Sequence, residues 1–166
     1  CLLVVASTVR AAAPMDTRLI QAVKNTDVET VRRLLIERVD VNAPQGDGAT
    51  ALHWAAHRDD LAIADLLIRA GAHANAADDV GATPLHVACT NRSGAMVERL
   101  LAADANANAT LPSGETVLMT CARAGDARSV KALLARGADV NAKEHEHNQT
   151  ALMWAAAQRH PDVVQL

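Results

Sequence analysis

Phenylalanine and tyrosine are missing from these 166 residues, and Trp54 and Trp154 are the only aromatic side chains. That excludes a core built on large rings. Half of the residues are apolar, so the burying work falls to Ala, Leu, Val and Ile. An alanine-rich core lets helices approach closely and favours helix by propensity. No run of like charge is long enough to form a tail, and Lys and Arg total 16 against 19 Asp and Glu, a net charge of −3. No basic, aromatic-interleaved stretch is present, so nucleic acid is not an expected partner. No apolar run reaches the ~20 residues of a helical membrane span. Glycine-rich phosphate loops, nucleophile elbows and paired carboxylates are also missing. Accordingly no catalytic residue, no bound metal and no cofactor is expected, and the chain is not read as an enzyme. The three cysteines form no CxxC pair and no disulfide framework.

What is there is a period. Thr50, Thr83 and Thr116 are 33 residues apart (83 − 50 and 116 − 83), and Thr150 follows after 34 (150 − 116). Each opens a related phrase: Thr50-Ala-Leu-His-Trp-Ala-Ala56, Thr83-Pro-Leu-His-Val-Ala-Cys89, Thr116-Val-Leu-Met-Thr-Cys-Ala122 and Thr150-Ala-Leu-Met-Trp-Ala-Ala156. Thr17 stands one repeat earlier, and Asn42, Asn75, Asn108 and Asn141 each follow a threonine by 25 residues (42 − 17, 75 − 50, 108 − 83, 141 − 116). A fixed period of this length marks a solenoid, in which each unit packs only on its neighbours.

Within each unit the pattern predicts two antiparallel helices and an outward loop. First helices start near the threonines, with Leu52, Leu85, Leu118 and Leu152 as buried anchors. Asp27, Asp60 and Asp126 cap the second helices, because a carboxylate accepts from the orphan N–H groups of a first turn. Pro161 opens the last one, where its missing N–H costs nothing. Val28, Val31, Leu34 and Leu35 fall on one face, and Ile63, Leu66, Leu67 and Val130, Leu133, Leu134 repeat that stripe. Gly71 and Gly137 suit the left-handed residue that ends such a helix. Arg38 and Asp104 occupy the same place, so strained or looser ends are expected there. Gly48, Gly81 and Gly114 supply positive φ in the loops, and Asn148 replaces glycine in a last loop one residue longer.

The phrase Thr83-Pro84-Leu85-His86-Val87-Ala88 resembles the ankyrin signature, and Leu133-Leu134-Ala135-Arg136-Gly137-Ala138-Asp139-Val140-Asn141 resembles that family's repeat end. Gly71-Ala72-His73-Ala74-Asn75 is a looser copy. The resemblance implies an all-α ankyrin-repeat solenoid of stacked helix-turn-helix units with short β-hairpin fingers. The repeats would span roughly residues 16–45, 46–78, 79–111, 112–145 and a truncated 146–166. It further implies a protein–protein interaction scaffold that binds another protein on its concave face, and a monomer. Carried over position by position, the contact residues would be Asp47, His57, Arg58, Asp79, Val80, Thr90, Asn91, Ser113, Glu115, Arg123, Glu146 and Gln158. Two alternatives stay open: a structural repeat module attached to a downstream domain, and a zinc-dependent hydrolase using the histidines.

The residues that look chemical have scaffold explanations. His53 and His57 stand i, i+4, a metal-binding spacing, yet Trp54 occupies the place where a metalloprotease would carry its glutamate. His53 and His86 are also the family's signature histidine, which bonds near the threonine and the loop. Met119 and Met153 replace it, which suits packing. Glu144-His145-Glu146-His147 alternates its side chains and is read as a solvated loop. Cys89 and Cys121 occupy neighbouring positions in successive repeats. They are expected to stay unpaired, because helix axes lie ~8–10 Å apart and a disulfide needs Cα atoms within ~7 Å.

The ends carry their own expectations. Leu2 to Ala6 followed by Ala11-Ala12-Ala13 resembles the back half of a secretory signal peptide, which would make residues 1–14 a remnant and the protein periplasmic or secreted. Pro14 is a poor residue after a cleavage site, and a start at Met15 in a cytoplasmic protein is the alternative. Asp162 to Leu166 begins a helix that the other repeats complete, so a continuing chain is expected.

Overall fold

The computed structural model describes residues 16–166. The proposed signal remnant lies outside them. Ten helices follow in pairs: α1 (Arg18–Lys24) and α2 (Val28–Ile36), α3 (Ala51–Arg58) and α4 (Leu61–Arg69), α5 (Pro84–Thr90) and α6 (Gly94–Ala102), α7 (Val117–Ala124) and α8 (Ala127–Ala135), α9 (Ala151–Ala157) and α10 (Pro161–Val164). First helices stack in one row, α1 on α3, α5, α7 and α9 in turn. Second helices stack in the other, from α2 through α4, α6 and α8 to α10. None of them is long and apolar enough to cross a membrane.

The starts follow from local chemistry. Thr17, Thr50, Thr83, Thr116 and Thr150 are the residues before the five first helices. Asp27, Asp60 and Asp126 accept from N–H groups of the first turns of α2, α4 and α8. Ser93 does the same for α6, a cap the sequence reading passed over. The helices are too short to persist alone, so their stability comes from packing.

Leu52, Ile63, Leu67, Leu85, Leu100 and Leu133 are fully buried, with Ala55, Ala56 and Ala88 closing the gaps between first helices. Burying a leucine contributes about 1.5–3 kcal/mol relative to leaving it in water. Leu118 is buried as expected, but Leu152 is 57% exposed. Its predecessors are covered by the next first helix, and among the described residues no first helix follows α9 to cover it.

Left-handed residues recur with the period. Gly48, Gly81 and Gly114 have φ near +80° in the loops, and Asn148 has φ +55°. At the ends of the second helices Arg38 (φ +57°) and Asp104 (φ +59°) adopt the same hand as Gly71 and Gly137. A second series was not anticipated: Thr26, Asp59, Arg92 and Arg159 have φ of 54–60° in the turn between the two helices, where only Gly125 is a glycine.

Cys89 and Cys121 correct the sequence expectation. They form a disulfide between α5 and α7, with Cα atoms 4.7 Å apart. The expectation used the distance between helix axes. Residues on the facing sides of two cylinders of ~2.3 Å Cα radius lie roughly 4–5 Å closer than the axes. Buried Ala88 and Ala122 beside the cysteines permit that approach.

The bridge closes a loop with a sequence separation of 32. Replacing both cysteines by alanine should lower unfolding stability by about 2–4 kcal/mol, and reduction of the unaltered protein should match it. Urea titration with and without reductant reads this; equal midpoints would mean that the thiols are free. Arg38→Gly should raise stability by about 1 kcal/mol, since glycine carries no Cβ penalty at positive φ. The same titration checks it.

Candidate functional site

The loops between repeats are fingers closed by one repeated pattern. Gln45 N–H donates to Ala49 O at 2.9 Å, Asp78 N–H to Ala82 O at 2.9 Å, and Leu111 N–H to Glu115 O at 2.9 Å. Among the described residues they form no strand, only a lone bridge between Thr110 and Thr116. Each finger is therefore a turn held by its own side chains. Asp47 accepts from Ala49 N–H at 3.0 Å, and Asp78 accepts from Val80 and Ala82 N–H at 3.0 and 2.8 Å.

The last finger solves its extra residue with a longer arm. Glu144 stands at the position of Asp78 two repeats on (144 = 78 + 33 + 33). Its buried carboxylate accepts from the N–H groups of Glu146, His147 and Gln149 at 2.7–3.1 Å. Those bonds, Gln149's first, hold its pKa below the usual glutamate value. Glu144 thus turns inward as a loop cap, while Glu146 and His147 stay exposed.

Fingers are also stitched to one another. Asp79 N–H donates to Asp47 O at 2.9 Å, and His145 N–H to Ser113 O at 2.8 Å. Between these two pairs stands Pro112, at the position of Asp79 (79 + 33), with no N–H to donate. The histidines show the same break. His53 Nδ1 accepts from Thr50 N–H at 3.1 Å, which puts the proton on Nε2, 3.0 Å from Ala82 O in the next repeat. His86 Nδ1 likewise accepts from Thr83 N–H at 3.2 Å, but its buried Nε2 has no partner. Met119 fills the equivalent place, its Sδ 3.4 Å from Thr116 N. The seam between the third and fourth repeats lacks both polar ties, and the disulfide lies there.

On the other edge the periodic asparagines cross every seam through to the fourth repeat. Asn42 Nδ2 donates to Gly71 O and its Oδ1 accepts from His73 N–H, at 3.1 and 2.8 Å. Asn75 repeats this with Asp104 and Asn106, and Asn108 with Gly137 and Asp139.

The proposed contact residues separate into groups. Asp47, Asp79, Val80, Ser113 and Glu146 are exposed on the fingers, and His57, Arg58, Thr90, Arg123 and Gln158 at or just after first-helix ends. Asn91 is exposed, but its amide donates to Ala56 O and His57 O at 3.1 and 2.8 Å, so it closes the end of α3. Thr90 donates to His86 O at 3.0 Å. Glu115 is half-buried and accepts from Thr120 Oγ1 at 2.8 Å and from Arg123 at 3.1 Å. Asp47 and His57 share a hollow of about 180 Å³ with Trp54, Asp78 and Val87. The i, i+4 histidines do not converge: both ring nitrogens of His53 are engaged, and the His57 ring sits edge-on to Trp54 at 5.5 Å.

The contact list passed over Trp54 and Trp154, although both stand four residues after their threonines. Each indole carries a cation from the preceding repeat: Lys24 Nζ 4.1 Å from the Trp54 centroid, Arg123 5.0 Å from that of Trp154. Both cations stand seven residues after a threonine (24 − 17 and 123 − 116), the turn of helix that shares a face with the fourth position.

Burial holds the His86 pKa at about 4, below the ordinary 6.5, and lowers that of His53 as well. Between those values the unfolded chain takes up a proton that the native state refuses. Stability is therefore full above about pH 6.5 and falls as the pH drops toward 4. His86→Met, following the precedent of Met119, should flatten that loss. Urea unfolding at neutral and acid pH reads it, and an unchanged acid loss would show that His86 titrates normally.

Comparison with known proteins matches a model described as ankyrin repeats (3 copies), over residues 19–110 and again over residues 92–166. A curated relative, palmitoyltransferase akr1 of Schizosaccharomyces pombe, is 42% identical over 52 residues. That stretch is 31% of this chain and 8% of the relative.

Proposed function

This chain belongs to the ankyrin-repeat family, and we propose that it is an interaction scaffold holding a protein partner in the groove between its fingers and its first helices. The hollow that carries this reading has two walls, the fingers at Asp47 and Asp78 and the helices at Trp54, His57 and Val87. Rigid elements border it, so side chains there bind without a large ordering cost. The groove has an acidic finger edge, with Asp47, Asp78, Asp79 and Glu146. Along the helix ends Lys24, Arg58 and Arg123 supply the opposite sign, which favours a partner of mixed charge.

The relative's acyl-transfer activity belongs to a protein of which this chain resembles a small part, and no catalytic role is assigned here. The histidines that could suggest a hydrolase cap α3 and α5. Export is proposed alongside, supported by the disulfide, since such bonds persist in oxidising compartments.

Photo-cross-linkers placed singly at Thr90 and Arg123 should capture partner protein from an extract of the source cells. The same groups at exposed Arg69 and Lys131, on the second helices, should capture far less. Equal or reversed yields would move the binding face to the other row.

A further inference from the structure

The hollow beside Trp54 is unbalanced in two independent ways. The first is charge. Asp47 and Asp78 both line it. Their bonds to finger N–H groups fix them in place without neutralising them. Among the described residues no ion pair reaches Asp47, Asp78 or Asp79. The neighbouring cation, Lys24, is held by Gln45 Oε1 at 2.7 Å and by the indole face.

The second is a missing acceptor. Trp154 Nε1 donates to Gln149 Oε1 at 2.7 Å. Gln149 directly precedes its threonine, and the residue in that place beside Trp54 is Ala49, which offers no side-chain acceptor. Trp54 Nε1 is accordingly buried with no hydrogen-bond partner. A buried, unpaired N–H is costly, and its cost is removed by whatever brings an acceptor.

We propose that this hollow seats a basic side chain, lysine or arginine, from a segment of the protein partner. Its charge pairs with Asp47 and Asp78, and its methylene stem packs on Val87 and Trp54. A main-chain carbonyl of the same segment is the acceptor that Trp54 Nε1 lacks. Nε1 is shielded in the free chain, so that bond forms as the segment displaces what covers the indole edge. The inference rests on the groove reading and adds the partner's chemistry to it.

Randomised nonapeptides displayed on phage would be selected on the immobilised full chain and on the Asp47→Asn, Asp78→Asn double variant. Asparagine keeps the Oδ1 acceptor of each finger turn and removes only the charge, so the fold survives. Selected peptides should share one lysine or arginine at a fixed position. They should bind the double variant on the order of tenfold or more weakly. Their binding should shift the indole N–H resonance of Trp54 and leave that of Trp154 in place. Peptides that cross-link from Thr90 but share no basic residue, and bind the double variant equally, would overturn the inference and leave the groove reading standing. Peptides that cross-link only from the second helices, or the absence of any selected family, would overturn both.

Discussion

Each repeat has an apolar face that only another repeat can cover. Leu52, Leu85 and Leu118 sit on helices of seven or eight residues, too short to stand in water. Their burial comes from the first helix of the following repeat, and alanine at the contact lets the backbones approach. Remove that stacking and neither row of helices survives, nor do the fingers that project from it. The exposed Leu152 and Met153 on α9 show what this face looks like without its neighbour.

Polar chemistry then fixes the register of the stack. The asparagines bridge one edge, and the fingers and histidines tie the other. The ties are unequal. Between the second and third repeats the finger stitch and the His53 bond are both made. Between the third and fourth, Pro112 cannot donate and His86 Nε2 finds no acceptor. The Cys89–Cys121 bond joins α5 to α7 at that same seam. A covalent link stands where the finger-side hydrogen bonds are missing, while Asn108 keeps the opposite edge closed. The scaffold is thus held across this seam by a different kind of interaction at each edge.

The groove inherits its character from this division of labour. Most periodic threonines, asparagines and histidines are committed to the scaffold. The proposed groove is left with the two tryptophans, the cations that cover them, and the charges of Asp47, Asp78 and Asp79 on the fingers. Asn91 and Glu144 look available in the sequence and are not, because one closes α3 and the other its own loop.

The period alone determined the helix pairs, the caps at Asp27, Asp60 and Asp126, the inward Leu52, Leu85 and Leu118, and the positive φ at Gly48, Gly81, Gly114 and Asn148. Those features depend on local spacing, and local spacing is written in the chain. Only the stacked structure decided the rest. Whether Cys89 meets Cys121 depends on which sides of two helices face each other, a distance that axis spacing does not give. Whether His86 finds an acceptor depends on the next repeat's loop. Whether Trp54 keeps an unpaired N–H depends on a single alanine brought beside it by the turn of α3. These are contacts between parts separated by a turn or a whole repeat, and they exist only once the repeats lie against each other.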